Sequence, residues 1–179
     1  IQRRATPATD PVPRVRGWTV TMVRMRAWSV RNARWLKKLY AGFEAVLVWM
    51  NPIWRRIGYE RLEKPFAAME RATKGVLLDS QNCGQCIVGF TGLACPMNCP
   101  KELRNGPCGG VRADGCCEVD PAMTCVWVLA WEGNKRFREN GYPIQTVQSA
   151  VDNRLIGKSA WLREVRLKSG DGAGVLREV

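Results

Sequence analysis

The sequence predicts a small, mainly helical protein that carries an irregular, cysteine-rich, metal-bound module and little sheet. Apolar residues recur at helical intervals on both sides of this module. All 8 cysteines lie between Cys83 and Cys125. The 179 residues include no histidine, so neither a Ser-His-Asp triad nor a His-ligated zinc hydrolase can be assembled. A self-contained hydrolase is therefore not expected, and the chemistry of cysteine remains.

Basic residues dominate the first part of the chain. Lys and Arg number 28 against 16 Asp and Glu, which gives a net charge of +12. Asp10 is the only acidic residue before Glu44. Because residues 1–17 hold three prolines and few large apolar groups, we expect a basic extended arm over residues 1–26.

A basic, tryptophan-rich helical region is predicted over residues 27–79. The spacing of apolar residues predicts one helix from about Ala27 to Met50, which Pro52 ends or bends. A second helix follows, for which Gly75 is the expected stop. One face of the first helix is predicted to hold Trp28, Trp35, Leu39, Phe43, Val46 and Met50, flanked by Leu36, Tyr40 and Leu47.

Tryptophans at helical spacing are most often anchors of a core or an interface. We expect that role for Trp28, Trp35, Trp49 and Trp54. Since interface cores are enriched in Arg and aromatic residues, the basic helix favours a partner subunit. Nucleic acid, the less favoured partner, and an anionic membrane surface remain alternatives. No apolar run approaches the roughly 20 residues of a membrane-spanning helix, so no transmembrane segment is expected.

Residues 80–132 are predicted to form a metal-binding module. The stretch from Ser80 to Glu118 is rich in Cys, Gly, Pro and Asn and has few residues able to build a core. A Cys-x2-Cys pair such as Cys83 and Cys86 places two sulfurs on one tight turn, as a tetrahedral metal or an iron–sulfur cluster requires. The candidate metal ligands are Cys83, Cys86, Cys95, Cys99, Cys108, Cys116, Cys117 and Cys125.

Three kinds of site are compatible with these cysteines. Disulfides suit small secreted domains, and nothing in the sequence indicates secretion. An all-cysteine zinc site would use half of the thiols. One or two [4Fe–4S] clusters would use four or eight of the 8 cysteines, so the count favours clusters modestly and leaves zinc open.

A C-terminal helix and tail are expected over residues 133–179. The spacing of apolar residues predicts a helix from Pro121 to Glu139 that overlaps the start of this region, with Lys135 and Arg136 near its end. A shorter helix is predicted from Ser159 to Leu167.

The cysteine motifs resemble a known family. They comprise Cys83-Gly-Gln-Cys86, Thr91-Gly92, Cys95-Pro96, Cys99-Pro100-Lys101, Leu103-Arg-Asn-Gly-Pro-Cys108-Gly-Gly, Cys117-Glu-Val and Cys125-Val-Trp127. This combination is similar to the methylenetetrahydrofolate reductase C-terminal, or MetV-like, family. The resemblance covers about residues 80–131 and does not extend to the N-terminal half.

The resemblance implies an accessory subunit rather than an independent enzyme. In that family the partner is a MetF-type flavoprotein, a TIM barrel that carries FMN or FAD and reduces a methylene-tetrahydrofolate. Family members bind metal through cysteines and are described as zinc and as iron–sulfur proteins. Seven cysteines carry over, namely Cys83, Cys86, Cys95, Cys99, Cys108, Cys117 and Cys125, whereas Cys116 stands where the family is expected to have another residue.

We therefore expect an electron-transfer subunit of a heteromeric, cytoplasmic oxidoreductase in one-carbon metabolism, with one or two [4Fe–4S] clusters and a possible further electron-donor subunit. The cysteines are expected to be ligands and not nucleophiles, and Trp127 is a candidate shield of the metal site from water. One alternative is a zinc-stabilised scaffold subunit of the same reductase without a redox role. Another is a zinc-ribbon protein that binds nucleic acid, for which the net charge of +12 is the only support.

Overall fold

Six helices form the fold in the computed structural model, which describes residues 20–137 and 142–171. They are α1 (Val20–Arg31), α2 (Ala33–Trp49), α3 (Asn51–Ile57), α4 (Tyr59–Leu78), α5 (Val126–Phe137) and α6 (Ala160–Lys168). Over these two ranges the only β-structure consists of isolated bridges, Val111 with Cys117 and Cys116 with Thr124. The prediction of a mainly helical chain with little sheet is confirmed.

The predicted first helix is two helices. Helix α1 begins at Val20, inside the stretch expected to be an extended arm, and residues 1–19 lie outside the described ranges. The chain breaks at Asn32, whose side-chain amide donates to the carbonyl of Trp28 at 2.9 Å. Asn side chains compete with the helical backbone for hydrogen bonds, which explains why a helix divides at this residue. The expected uniform helix from Ala27 is therefore wrong.

Of the two predicted helix boundaries that follow, the one at Pro52 is confirmed and the one at Gly75 is not. Helix α2 ends before Pro52, which occupies the first turn of α3, as the loss of its backbone donor predicts. The expected stop at Gly75 is wrong, because α4 continues to Leu78 and ends where Asp79 adopts a left-handed conformation at φ 48°. Its amide donates to the carbonyl of Gly75, which closes the last turn.

The core side of α2 coincides only in part with the predicted apolar face, of which Phe43 and the flanking residues Leu36, Tyr40 and Leu47 face the core. The core side is formed by Ala33 and Leu47 with the half-buried Leu36, Tyr40 and Phe43. The exposed side carries an apolar row, the α2 stripe, made of Trp35, Leu39, Val46 and Trp49, which are 61%, 56%, 52% and 79% exposed. Among the expected tryptophan anchors, Trp54 joins the core, where its ring packs edge-on against Phe66.

Helix α6 closes the core against α2 and α4. Its residues Trp161, Leu162 and Val165 are buried with Leu47 and Phe66. The predicted short helix from Ser159 is confirmed in position, since the Ser159 side chain accepts the amide of Leu162 and caps α6.

The cysteine-rich segment, residues 80–125, contains no α-helix and yet packs closely against its neighbours. Ile87, Val88 and Leu93 are buried, so the segment supplies more core residues than its composition predicts. A Cβ added at Gly133 of α5 would lie 2.0 Å from the carbonyl oxygen of Gly92, so these two backbones touch. The helix after the segment begins at Val126 and not at Pro121 as expected.

None of the helices in the described ranges combines the length and apolar character needed to cross a membrane.

Candidate metal centre

Three of the predicted ligands line one small cavity, which we call the thiol cavity. Cys83, Cys86 and Cys95 contribute to its wall. Between the first two, Gly84 has φ +71°, and a Cβ there would lie 2.1 Å from the carbonyl oxygen of Leu155. Only glycine fits this turn, which brings two cysteines of the Cys-x2-Cys motif to one cavity.

Arg104 lines the thiol cavity, and two further buried cations, Arg26 and Lys74, lie close enough to interact with Cys95 and Cys86 respectively. Arg26, Lys74 and Arg104 are 7%, 3% and 7% exposed. Nη1 of Arg104 approaches Sγ of Cys83 at 3.9 Å, and its Nη2 donates to the carbonyl of Gln85 at 2.8 Å. Arg26 comes from α1 and pairs with Asp79. Lys74 likewise pairs with Glu70, which also lines the cavity. Two of the three cations therefore have carboxylate counterparts, and Arg104 lies against the thiol of Cys83.

The pKa values of these groups follow from their burial and from one another. Burial raises the pKa of the Cys95 thiol to about 12, although backbone hydrogen bonds at Gln81 and Met97 act in the opposite direction. Burial lowers the pKa of Lys74, but Cys86 and nearby Tyr40 and Glu70 raise it, and the net value lies above the ordinary range. Cys95 is therefore a neutral thiol near neutral pH, which suits a ligand that deprotonates on metal binding and not a nucleophile.

A second group of cysteines lies beyond the thiol cavity. The amide of Gly110 donates to Sγ of Cys108 at 3.3 Å, and this sulfur lies 4.0 Å from a carboxylate oxygen of Glu118. Glu118 pairs with Lys101. Cys117 and Cys125 are buried together in the hydrophobic cluster at the start of α5. The eight cysteines are thus distributed over at least two places.

Two cysteines, Cys116 and Cys99, line neither the thiol cavity nor the second group, but Cys99 follows a turn that reaches the thiol cavity. Cys116 and Cys117 each form an isolated bridge, with Thr124 and Val111 respectively. Because successive side chains of an extended segment point to opposite faces, the two adjacent thiols diverge. Cys99 is 8% exposed and follows a short 3-10 turn, Pro96–Asn98, whose first residue lines the thiol cavity.

The thiols do not form a closed ligand set in this conformation. Within residues 20–137 and 142–171, no three His, Cys, Asp or Glu side chains stand close enough to hold a metal ion in this conformation. The donor set is nevertheless all-thiolate, and three thiols share a cavity with buried cations around it. The donor chemistry therefore suits a thiolate-bound metal group, although the side chains do not enclose one in this conformation.

Trp127 lies in the same hydrophobic cluster as Cys117 and Cys125 and is 5% exposed. Its indole nitrogen has no hydrogen-bond partner and rests against Gly106, where an added Cβ would lie 2.3 Å away. The side chain is therefore positioned to cover the second group of cysteines.

The chain belongs to the methylene-tetrahydrofolate reductase C-terminal family, whose pattern matches residues 59–154, more than half of the 179 residues. The resemblance found from the cysteine motifs is thereby confirmed, and the match extends it towards α4 and the segment after α5. No curated protein and no solved structure matches the chain.

Sequence reasoning missed the cations of the thiol cavity. Arg104 lies inside the Leu103-to-Cys108 motif, so its place among the ligands was a usable signal. Arg26 and Lys74 lie far from the cysteines along the chain, and no local pattern marks them.

Proposed function

We propose that this chain is an electron-transferring accessory subunit of a methylenetetrahydrofolate reductase and that its cysteines hold one or two [4Fe–4S] clusters. Membership of the reductase C-terminal family supports the reaction context. The observation that carries the metal proposal is the sharing of one cavity by Cys83, Cys86 and Cys95 beside the buried guanidinium of Arg104. When bound, such a cluster supplies one-electron oxidation and reduction.

In this proposal the buried cations compensate the negative charge of the thiolates and of the bound cluster. Each thiolate brings a negative charge into a region of low dielectric constant, where an uncompensated charge is strongly disfavoured. Arg104, beside Cys83, offsets that charge, and Arg26 and Lys74 contribute less because Asp79 and Glu70 already pair with them. They also favour the more negative, reduced form of a bound cluster and so raise its reduction potential.

Two groups of ligands suit the distribution of the thiols. The first comprises Cys83, Cys86 and Cys95, with the neighbouring Cys99 as fourth ligand. The second comprises Cys108, Cys117 and Cys125, for which Cys116 or a non-cysteine group completes the set. Trp127 keeps water from this second group. The residues act by binding, by shielding and by setting the local charge.

The partner in this proposal is a MetF-type flavoprotein that holds FMN or FAD and the tetrahydrofolate substrate. The α2 stripe offers an exposed apolar surface for it, since Trp35 and Trp49 are 61% and 79% exposed. Large exposed aromatic side chains in one row are typical of interface anchors.

Metal analysis of anaerobically purified chain tests the proposal. We expect about four or eight iron ions and as many sulfides per chain, with visible absorbance that dithionite bleaches. Cys86→Ser should lower the iron content, whereas the double variant Trp35→Ser/Trp49→Ser should keep the iron and lose co-purification with the flavoprotein. One zinc ion without colour would replace the electron-transfer role by that of a zinc scaffold, and co-purification with nucleic acid alone would contradict the reductase role.

The proposed effect of the buried cations on the reduction potential can be measured separately. Arg104→Gln should shift the midpoint potential of the cluster to a more negative value, because it removes a buried positive charge beside Cys83. Arg34→Gln, which changes an exposed arginine of α2, is the matched control and should leave the potential in place. Equal potentials for both variants and the wild type would show that Arg104 has no part in tuning the site.

A further inference from the structure

A large cavity lies where α3, α4 and α6 meet, and no cysteine lines it. It has a volume of about 650 Å³. The chain turns from α3 into α4 at Gly58, whose φ of +94° only glycine adopts readily. Because this turn holds α3 close to α4, residues from both helices and from α6 face the same space. We call it the arginine cavity.

Positive charge predominates in its lining. The basic residues are Arg56, Arg61, Lys158, Arg163 and Arg166. Glu60 and Glu63 also line the space, but the carboxylate of Glu63 accepts the amide of Ser159 at the start of α6. In the part of the chain that the structure describes, none of the four arginines forms a salt bridge with a carboxylate.

Two of the arginines are held in the wall by α6. Arg163 and Arg166 are three residues apart and thus share a face of the helix. Both are half-buried, and the Nε atom of each is buried without a hydrogen-bond partner. The guanidinium of Arg166 lies 5.2 Å from the centre of the Tyr59 ring, which fixes its plane. Because these Nε atoms are occluded, an anion in the cavity would be bound through the Nη atoms of the two guanidinium groups.

From these observations we infer that the arginine cavity binds a small polyanion, a chain of phosphate or carboxylate groups. The planar guanidinium groups match the oxygen pairs of both kinds of anion. A single small anion would leave most of the five cations uncompensated, whereas a short chain of charges reaches several of them. Nucleic acid is a poorer fit, because the Tyr59 ring that could stack on a base is covered by Arg166. No cysteine lines this site, although Leu155 in its wall also contacts Gly84 between Cys83 and Cys86. The inference does not rest on the proposed redox role.

Calorimetric titration of the full, metal-loaded chain tests the inference. Two probes, inorganic tripolyphosphate and γ-linked triglutamate, distinguish a phosphate chain from a carboxylate chain. We expect saturable one-site binding of at least one probe, with an affinity that falls as salt is added. Arg163→Gln/Arg166→Gln should weaken that binding about tenfold or more. Arg34→Gln/Arg71→Gln removes the same charge from exposed positions outside the cavity and should change it less than about twofold.

A second pair of substitutions protects the test against loss of folding. Arg56 and Arg61 are exposed, so Arg56→Gln/Arg61→Gln should leave the thermal unfolding temperature unchanged while it weakens binding severalfold. Equal weakening by the cavity pairs and the Arg34→Gln/Arg71→Gln control would reduce the effect to net charge and overturn the inference. Failure of both probes to bind, or stronger binding of a single-stranded oligonucleotide that the cavity variants leave intact, would overturn it too.

Discussion

Glu70→Gln is expected to lower the free energy of unfolding by about 3 kcal/mol, at the lower end of the range for breaking a buried ion pair. Glu70 and Lys74 are i,i+4 neighbours on α4, with side chains only 4% and 3% exposed, and Oε1 lies 2.6 Å from Nζ. The other oxygen accepts the hydroxyl of Ser159 at 2.9 Å and the amide of Trp161 at 3.2 Å. One carboxylate therefore joins α4 to the start of α6.

The magnitude follows from what glutamine leaves behind. Its side chain keeps the shape and one acceptor of Glu70, but the ammonium of Lys74 loses its carboxylate in a buried position. Removal of one partner of a buried pair typically costs about 3–5 kcal/mol. The aromatic rings of Trp161 and Tyr40, 5.0 and 5.6 Å from Nζ, offset part of this loss by cation–π attraction. Since a domain of this size is stable by roughly 5–15 kcal/mol, the effect is easily measured.

Urea unfolding followed by circular dichroism is the assay, and all variants are compared in the same metal state. Glu60→Gln, an exposed carboxylate on the same helix, is the matched control and should cost at most about 0.5 kcal/mol. The double variant Glu70→Gln/Lys74→Met should lose less free energy of unfolding than the sum of the two single variants, because it also removes the Lys74 ammonium that Glu70→Gln leaves without a carboxylate. A Glu70→Gln variant as stable as wild type, or strictly additive losses, would refute this reasoning.

Three further predictions concern stability and use the same unfolding assay. Trp161→Ala should lower the free energy of unfolding by about 3–5 kcal/mol, because Trp161 is buried at 6% exposure. Trp49→Ala, at 79% exposure, should lower it by less than about 0.5 kcal/mol. Equal losses would contradict the assigned core. Gly133→Ala should lower the free energy of unfolding by about 1–3 kcal/mol, because the added methyl group meets the carbonyl of Gly92. Gly42→Ala, in open space within α2, should raise it by about 0.5–1 kcal/mol. A stabilising Gly133→Ala would show that the contact can relax. Ser159→Ala should cost about 1 kcal/mol as the cap of α6 is lost, and no loss would mean that its hydroxyl bonds are replaceable.

The helices that carry clear local signals were predictable from the sequence. Proline has no backbone donor, so Pro52 marked the end of α2 wherever the helix packed. Ser159 preceded an apolar pattern and proved to be a cap that accepts the amide of Leu162. Signals of this kind belong to a few adjacent residues and do not depend on tertiary contacts.

The orientation of α2 was not predictable in the same way. Its apolar residues extend around most of the helix, so two neighbouring faces satisfy the helical period equally well. The face with Leu36, Tyr40 and Phe43 packs against the core, while Trp35 and Trp49 remain exposed. Which face is buried depends on the helices that approach it, and periodicity contains no information about them.

The end of α4 likewise could not be predicted from local sequence. Glycine is a common stop because it adopts left-handed conformations without strain. In this chain Asp79 takes that conformation instead, at φ 48°, and pairs with Arg26 of α1. A tertiary ion pair accompanies the position at which α4 ends, and local preference at Gly75 is overridden.

The surroundings of the candidate metal centre extend beyond the residues that the family match covers. The match begins at residue 59, after α1 and α2. Helix α1 nevertheless supplies Arg26 to the charge around Cys95, and its Ser29 donates a hydrogen bond to the carbonyl of Leu77, just before the cysteine-rich segment. Because this part of the charge and packing comes from the N-terminal helices, the thiol cavity depends on residues that the cysteine motifs do not identify. A cysteine pattern thus specifies the donor atoms, while the electrostatic environment that tunes them is a property of the whole fold.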